Sequence, residues 1–249
     1  MTTLNMSGLS FEADLVAFDK DGTLIDLDFM WSRIVVAWAE LLRQGVDDEA
    51  LLSEFFKIIG YDVSSQRVLS QSPLAIASID QLHTIAASVL YRHGIPWTKA
   101  EVLARSAYAH VGADLPLSRL VRPTGNVQGL LKRLKAAGAK VAVITADCRF
   151  ETQETMDVLG VSDSVDLLVC GDDGLPTKPQ PDMLLAACQQ LNVAPRYVAC
   201  VGDTVADLLM ARRANVGCVV AVLSGAGEEN ALREHADVVL NSVDEIADR

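Results

Sequence analysis

The sequence predicts an α/β protein: a doubly wound parallel sheet carrying an inserted, all-helical segment. Three observations lead there. Leu15-Val16-Ala17-Phe18 is an unbroken apolar run of strand length, the pattern of a strand buried on both faces. Beyond about residue 120, runs of this kind alternate with helical patterns, as successive strand–helix–strand units require. Between the two regions, from Asp28 to about Val111, the apolar spacing is helical throughout, with no convincing strand. The expected division is therefore a core of residues 1–26 and 120–249, with residues 27–119 as a separate helical module.

In the helical segment, Met30, Trp31, Ile34, Val35, Trp38, Leu41 and Leu42 form one stripe, which Gly45 should end. Asp48 can cap a second helix bearing Leu51, Leu52, Phe55, Phe56 and Ile59, closed by Gly60. Residues 61–77 follow neither period. Ser78-x-x-Gln81 reads as a capping box for a helix reaching His93, with Gly94 past its end, and Thr98-x-x-Glu101 as another, for a helix reaching about His110. After Pro116 and Pro123 the rhythm changes: helix 126–137, strand 141–144, helix 151–159, strand 167–170, helix 181–191, strand 197–201, helix 205–214, strand 218–223, helix 228–235 and strand 237–240.

The 249 residues are half hydrophobic and only 5% aromatic, which suits helices packed on a sheet. A net charge of −12 without any Lys/Arg-rich run argues against a nucleic-acid partner. The N-terminus lacks a signal-peptide pattern, and no apolar run approaches the roughly 20 residues that cross a bilayer. Cys148, Cys170, Cys188, Cys200 and Cys218 are odd in number and form no C-x-x-C, so they read as free thiols in a reduced compartment. The expectation is a cytoplasmic protein with no membrane partner; its oligomeric state is left open. Cys148 alone stands beside a candidate site residue.

Ligands of open parallel sheets gather at the carboxyl ends of the strands. Strand 15–18 is followed there by Asp19 and Asp21, two acids at i and i+2, then Gly22, which permits a tight turn with exposed N–H groups. Strand 141–144 is followed by Thr145, strand 167–170 by a loop with Lys178, and strand 197–201 by Gly202-Asp203-Thr204, with Asp207 one helical turn on. Acids, a hydroxyl and a cation at one rim suit a metal ion and a phosphate together. Each also has a plainer reading: Asp19 and Asp21 as turn formers, Thr145 or Asp207 as helix caps, Lys178 as a solvated loop residue.

With these residues in place the chain resembles the haloacid dehalogenase superfamily. Asp19-Lys20-Asp21-Gly22-Thr23 matches its D-x-D-G-T motif, Thr145 its strand-end Ser/Thr, Lys178 its lysine, and Gly202-Asp203-x-x-x-Asp207 its G-D-x-x-x-D. The helical segment lies where that superfamily carries a C1 cap, and the motif and cap size are similar to the phosphoglycolate phosphatase-like branch. The resemblance implies a Mg²⁺-dependent phosphatase acting on a small phosphorylated metabolite through an aspartyl-phosphate. It implies Asp19 as nucleophile and Asp21 as general acid and base. It implies Asp19, Asp203 and the Asp21 carbonyl as Mg²⁺ ligands, with Asp207 at a metal-bound water or orienting the loop. Thr145 and Lys178, with backbone N–H groups around Gly22 and Ala146, would hold the phosphoryl oxygens. Asp21 favours phosphate esters over C–halogen or C–P bonds. A phosphomutase of the same fold is the enzymatic alternative, and a phosphate-regulated binding module the non-catalytic one. Linkers near 24–27 and 118–124 are expected to let the cap close. Met30, Trp31, Arg33, Trp38, His83, His93 and Trp97 are the cap's candidates for substrate contact, Trp38 more simply as core and His83 and His93 more simply as structural or surface residues.

Overall fold

The computed structural model describes residues 1–44, 46, 48 and 50–248, the last by its backbone alone. Gly45, expected to end the first helix, lies outside the described residues. Two compact units result, Met1–Asp26 with Val121–Arg249 and Leu27–Leu120.

The first unit opens with strands β1 (Thr2–Met6) and β2 (Leu9–Ala13), an antiparallel hairpin that the sequence reading missed. Its alternation is half-polar: Thr2, Leu4 and Met6 point inward between the partly exposed Thr3 and Asn5. β3 (Leu15–Phe18) follows, with all four side chains 0% exposed.

The second unit contains α1 (Leu27–Arg43), α2 (Ala50–Ile59), the two-residue strands β4 (Tyr61–Asp62) and β5 (Arg67–Val68), then α3 (Pro73–Ile76), α4 (Ile79–Arg92), α5 (Trp97–Asp114) and α6 (Leu117–Leu120). The antiparallel β4–β5 pair corrects the all-helical expectation. Asp62 Oδ1 accepts from Ser64 N at 2.9 Å, folding the chain into a turn that helical periodicity could not register. Asp48 does cap α2, accepting from Ala50 N at 2.9 Å, and Ser78 and Gln81 form the expected capping box of α4. The box expected at Thr98 does not form. α5 starts two residues earlier, with Pro96 in place of Thr98 at the cap, because the Pro96 carbonyl takes the N–H groups of Lys99 and Ala100. Trp38 is core, 0% exposed, edge-on to Phe55 and Tyr108, its indole N–H donating to Ala104 O at 3.1 Å.

The chain then completes the first unit with α7 (Val127–Ala136), β6 (Lys140–Ile144), α8 (Arg149–Leu159), β7 (Leu167–Val169), α9 (Asp182–Gln190), β8 (Val198–Gly202), α10 (Val205–Arg213), β9 (Cys218–Val222), α11 (Glu229–Arg233), β10 (Val238–Leu240) and β11 (Ala247–Asp248). α8 begins two residues before its expected start, where Asp172 Oδ1 accepts the Arg149 N–H at 2.9 Å and satisfies an otherwise orphan donor. β11 pairs with β1 and completes a three-stranded antiparallel sheet.

Six strands form one parallel sheet in the order β10-β9-β8-β3-β6-β7. Alternate residues sort onto its two faces. Val16, Phe18, Val141, Val143 and Val201 meet Leu130, Leu131 and Leu134 of α7 and Met156 of α8. Leu15, Ala17, Ala142, Ile144 and Cys200 meet Met183 and Leu184 of α9 and Leu208 and Ala211 of α10. The chain moves outward from β3 through β6 to β7, then returns to β8 on the other side. That reversal opens a crevice at the carboxyl ends of β3 and β8. The linker stretches run side by side within this unit: Asp26 N donates to Arg122 O, Thr124 N to Leu24 O, and the Arg122 guanidinium pairs with the Asp26 carboxylate.

Candidate active site

Asp19 is fixed at the rim because its N–H donates to Val201 O at 2.9 Å, extending the β3–β8 pairing one residue past Phe18. The chain turns at once, Leu24 and Ile25 N–H both reaching Lys20 O, with Gly22 at φ +84°. Gly22's own N–H donates to Ile25 O at 2.8 Å, which corrects the expectation that it faces an anion. Its carbonyl accepts from Ser224 Oγ at 2.6 Å.

β8 delivers Asp203, only 1% exposed, whose carboxylate accepts from Ala226 N at 2.9 Å and Thr23 Oγ1 at 3.3 Å. Thr204 and Asp207 cap α10 reciprocally, Asp207 Oδ2 accepting from Thr204 N at 3.0 Å. The capping reading of Asp207 therefore holds, yet its other oxygen faces the rim. Lys178, from the β7–α9 loop, places Nζ 2.5 Å from Asp19 Oδ1 and 2.7 Å from Asp207 Oδ1, the latter an ion pair without hydrogen-bond alignment. Asp19, Asp203 and Asp207 each bring an oxygen within 4.8 Å of the others.

Asp21 does not join that trio. Its Oδ1 lies 2.9 Å from Lys20 Nζ, and Lys20 reaches on to Asp147 Oδ2 at 2.8 Å. Thr145 belongs to this second branch: buried, its Oγ1 accepts from Asp147 N at 3.2 Å. Ala146 follows half-buried, its carbonyl so close to Gly171 that a Cβ there would sit 2.0 Å away. Sequence reasoning missed Lys20, Asp147 and the Ser224–Gly227 loop. The loop follows β9, a fifth strand whose end the same rim rule would have reached. Asp147 stands two residues beyond Thr145.

Burial pushes Asp19 up to about 6, against Lys178 and reinforced by Asp207. Burial likewise pushes Asp21 up to about 7, opposed by Lys20 and reinforced by Asp147 and Asp19. Asp203 is raised well above the carboxylate range by burial, then by Asp19 and Asp207. Burial, the largest single cause, would raise Asp147, but Lys20 together with Asp21 and Lys178 brings it below its ordinary value. In Lys20 and Lys178, burial is overcome by paired carboxylates and the ammonium is held above its ordinary range. Cys148 is no activated thiolate, since burial raises its thiol.

The trio sets three carboxylates against the single ammonium of Lys178, and Asp203 accepts hydrogen bonds from neutral donors. An all-oxygen, buried, doubly uncompensated site fits a hard divalent cation such as Mg²⁺. Gly225 guards the fit: a Cβ there would lie 1.9 Å from Asp203 Oδ2. Gly225→Ala is expected to weaken Mg²⁺ binding by about 10–100-fold in calorimetric titration. Gly112→Ala, in an open stretch of α5, should bind normally.

In the helical unit the proposed contact residues already have partners or are buried. Met30 and Trp31 lie on the inward stripe of α1, and Arg33 stacks 3.7 Å from the Phe29 ring. His83 packs edge-on to Trp38 and Tyr108, His93 lies 2.6 Å from Asp48 and 3.0 Å from Glu54, and Trp97 meets Tyr91.

Known proteins resemble this chain in sequence and in fold. The family described as haloacid dehalogenase-like hydrolase matches residues 13–215. A phosphoglycolate phosphatase of Chromobacterium violaceum is 34% identical over 237 residues, 94% of either chain. The validoxylamine A 7'-phosphate phosphatase of Streptomyces hygroscopicus subsp. limoneus is 30% identical over 230 residues, 92% of this chain and 93% of that one. A crystal structure from Haemophilus somnus, titled a predicted phosphoglycolate phosphatase, superposes with a TM-score of 0.72. It is 19% identical and covers 92% of this chain and 94% of the other, a likeness of fold.

Proposed function

Given that this chain belongs to the haloacid dehalogenase-like hydrolases, we propose that it is a Mg²⁺-dependent phosphatase that cleaves a small phosphate monoester through an aspartyl-phosphate on Asp19. The observation that carries this reading is the meeting of Asp19, Asp203, Asp207 and Lys178, from three segments far apart in sequence, at one end of one parallel sheet.

Asp19 and Asp203, with the Asp21 carbonyl and with Asp207 beside them, would hold Mg²⁺, which offsets the repulsion between a carboxylate nucleophile and a phosphate dianion. The Asp19 carboxylate attacks phosphorus, and a new P–O bond forms as the ester P–O bond breaks. Asp21 gives its proton to the departing oxygen; a carboxyl held near 7 is available as a donor at neutral pH. Asp21, now ionised, takes a proton from the water that attacks the aspartyl-phosphate, releasing phosphate and restoring Asp19. Lys178, Thr145 and the Ala146 N–H hold the phosphoryl oxygens as charge builds on them. Substrate selection is assigned to the segment Leu27–Leu120. Among the described residues no helix is long and apolar enough to cross a membrane, and the five cysteines are free, which suits a reducing compartment.

The two curated relatives are named for different substrates, so the test is a panel of phosphate monoesters, phosphoglycolate and cyclitol and sugar phosphates included. Phosphate release from at least one, abolished by EDTA and restored by Mg²⁺, is the expected result. Isomerised ester without phosphate release would make the protein a mutase, and no turnover of any ester would overturn the reading.

A further inference from the structure

Lys20 is 2% exposed and sits between Asp19 and Asp21, where an unpaired ammonium would be strongly destabilising. Its Nζ is held between Asp21 Oδ1 at 2.9 Å and Asp147 Oδ2 at 2.8 Å. Asp147 is itself tied at both ends of its backbone. Its N–H donates to Thr145 Oγ1 at 3.2 Å, and its carbonyl accepts from Gly171 N at 2.8 Å. The ends of β6 and β7 thus fix Asp147, Asp147 fixes Lys20, and Lys20 fixes the carboxyl of Asp21. On the other side of the rim, Lys178 performs the same service for Asp19 and Asp207. Two lysines sort the acids into two groups and keep Asp21 out of the carboxylate trio.

Resting on the phosphatase reading above, the geometry points to Lys20, locked by Asp147, as the positioning residue that holds Asp21 where it protonates the leaving oxygen. A carboxyl free to turn about its two side-chain torsions would swing toward the trio or toward solvent. The consequence concerns substrate class. Esters of alcohols, whose alkoxide leaves poorly without a proton, depend on Lys20; esters of acidic phenols do not.

The experiment uses full-length protein with Mg²⁺ and two esters, p-nitrophenyl phosphate and the alkyl phosphate cleaved fastest in the panel. Lys20→Met is expected to lower kcat/KM for the alkyl ester about 100-fold and for the aryl ester less than about 5-fold. With the aryl ester it should also show a burst of nitrophenolate ahead of slow turnover, because Asp21 serves the second step as base. Asp147→Asn, close in shape to the native residue, should split the two esters in the same direction. The Lys20→Met/Asp147→Asn double variant removes one charge of each sign and is read alongside in case the single lysine variant does not fold. Equal losses on both esters would reduce the pair to a structural role, and unchanged kcat/KM on both would remove the role altogether. Failure of the wild-type protein to cleave any ester would instead overturn the phosphatase reading, and this inference with it.

Discussion

Asp19→Asn is expected to depress phosphate release by at least about 10⁴-fold while the chain stays folded. The change removes the attacking oxygen's charge and basicity but keeps the side chain's shape, so a loss of this size, about 5 kcal/mol in the barrier, is chemical. Packing gives no reason for collapse. Lys178 keeps Asp207 as a partner at 2.7 Å, and the Asp19 N–H still pairs with Val201 O. The metal-free variant should even melt at a higher temperature than the wild-type protein, because three crowded carboxylates become two. Rising stability with vanishing turnover is the mark of a strained functional site. Release of phosphate at the wild-type rate by Asp19→Asn would remove the nucleophile from the proposal.

Much of the rim could be read from sequence because the strands that build it are buried on both faces. β3, β8 and, past Lys140, β6 are continuous apolar runs, and a polar residue follows each at the rim: Asp19, Asp203 and Thr145. Helix starts were legible where a side chain does the capping, as at Ser78. They were not where a backbone carbonyl does it, as at Pro96. The N-terminal sheet escaped for a different reason. β1 alternates apolar with Thr and Asn, and its partner β11 lies at the opposite end of the chain. No local window contains that pairing. Partner choice within the rim was equally beyond the pattern. A lysine between two aspartates does not say which it will bind, and that Lys20 turns to Asp21 and Asp147 is decided by the end of β6.

Metal-free protein is expected to lose stability as pH rises from about 4 to about 7, and Mg²⁺ to restore it at the upper end. The ordinary aspartate value is 3.8, while in the fold Asp19 stands at about 6, Asp21 at about 7, and Asp203 well above the usual range. Between those limits the native state binds more protons than the unfolded chain, so the slope of unfolding free energy against pH is negative. Ionising one carboxyl raised from 3.8 to about 6 in the fold costs about 3 kcal/mol of stability. Asp147 has the opposite sign, but it contributes above its depressed value and its loss lies at more acid pH. Lys20 and Lys178 contribute below the ordinary lysine value of 10.5 and lose their effect above it, so neither titrates in this window. On the proposed reading Mg²⁺ would bind the ionised trio in competition with protons, so its stabilising effect should grow as pH rises. Melting curves in EDTA and in Mg²⁺ at several pH values between about 4.5 and 7.5 read both effects. Asp203→Asn should flatten the metal-free slope and abolish the Mg²⁺ shift, because it removes one charge from the crowded trio and one ligand from the ion. A variant whose slope and Mg²⁺ shift both match the wild-type protein would place the metal, and the origin of the pH dependence, elsewhere.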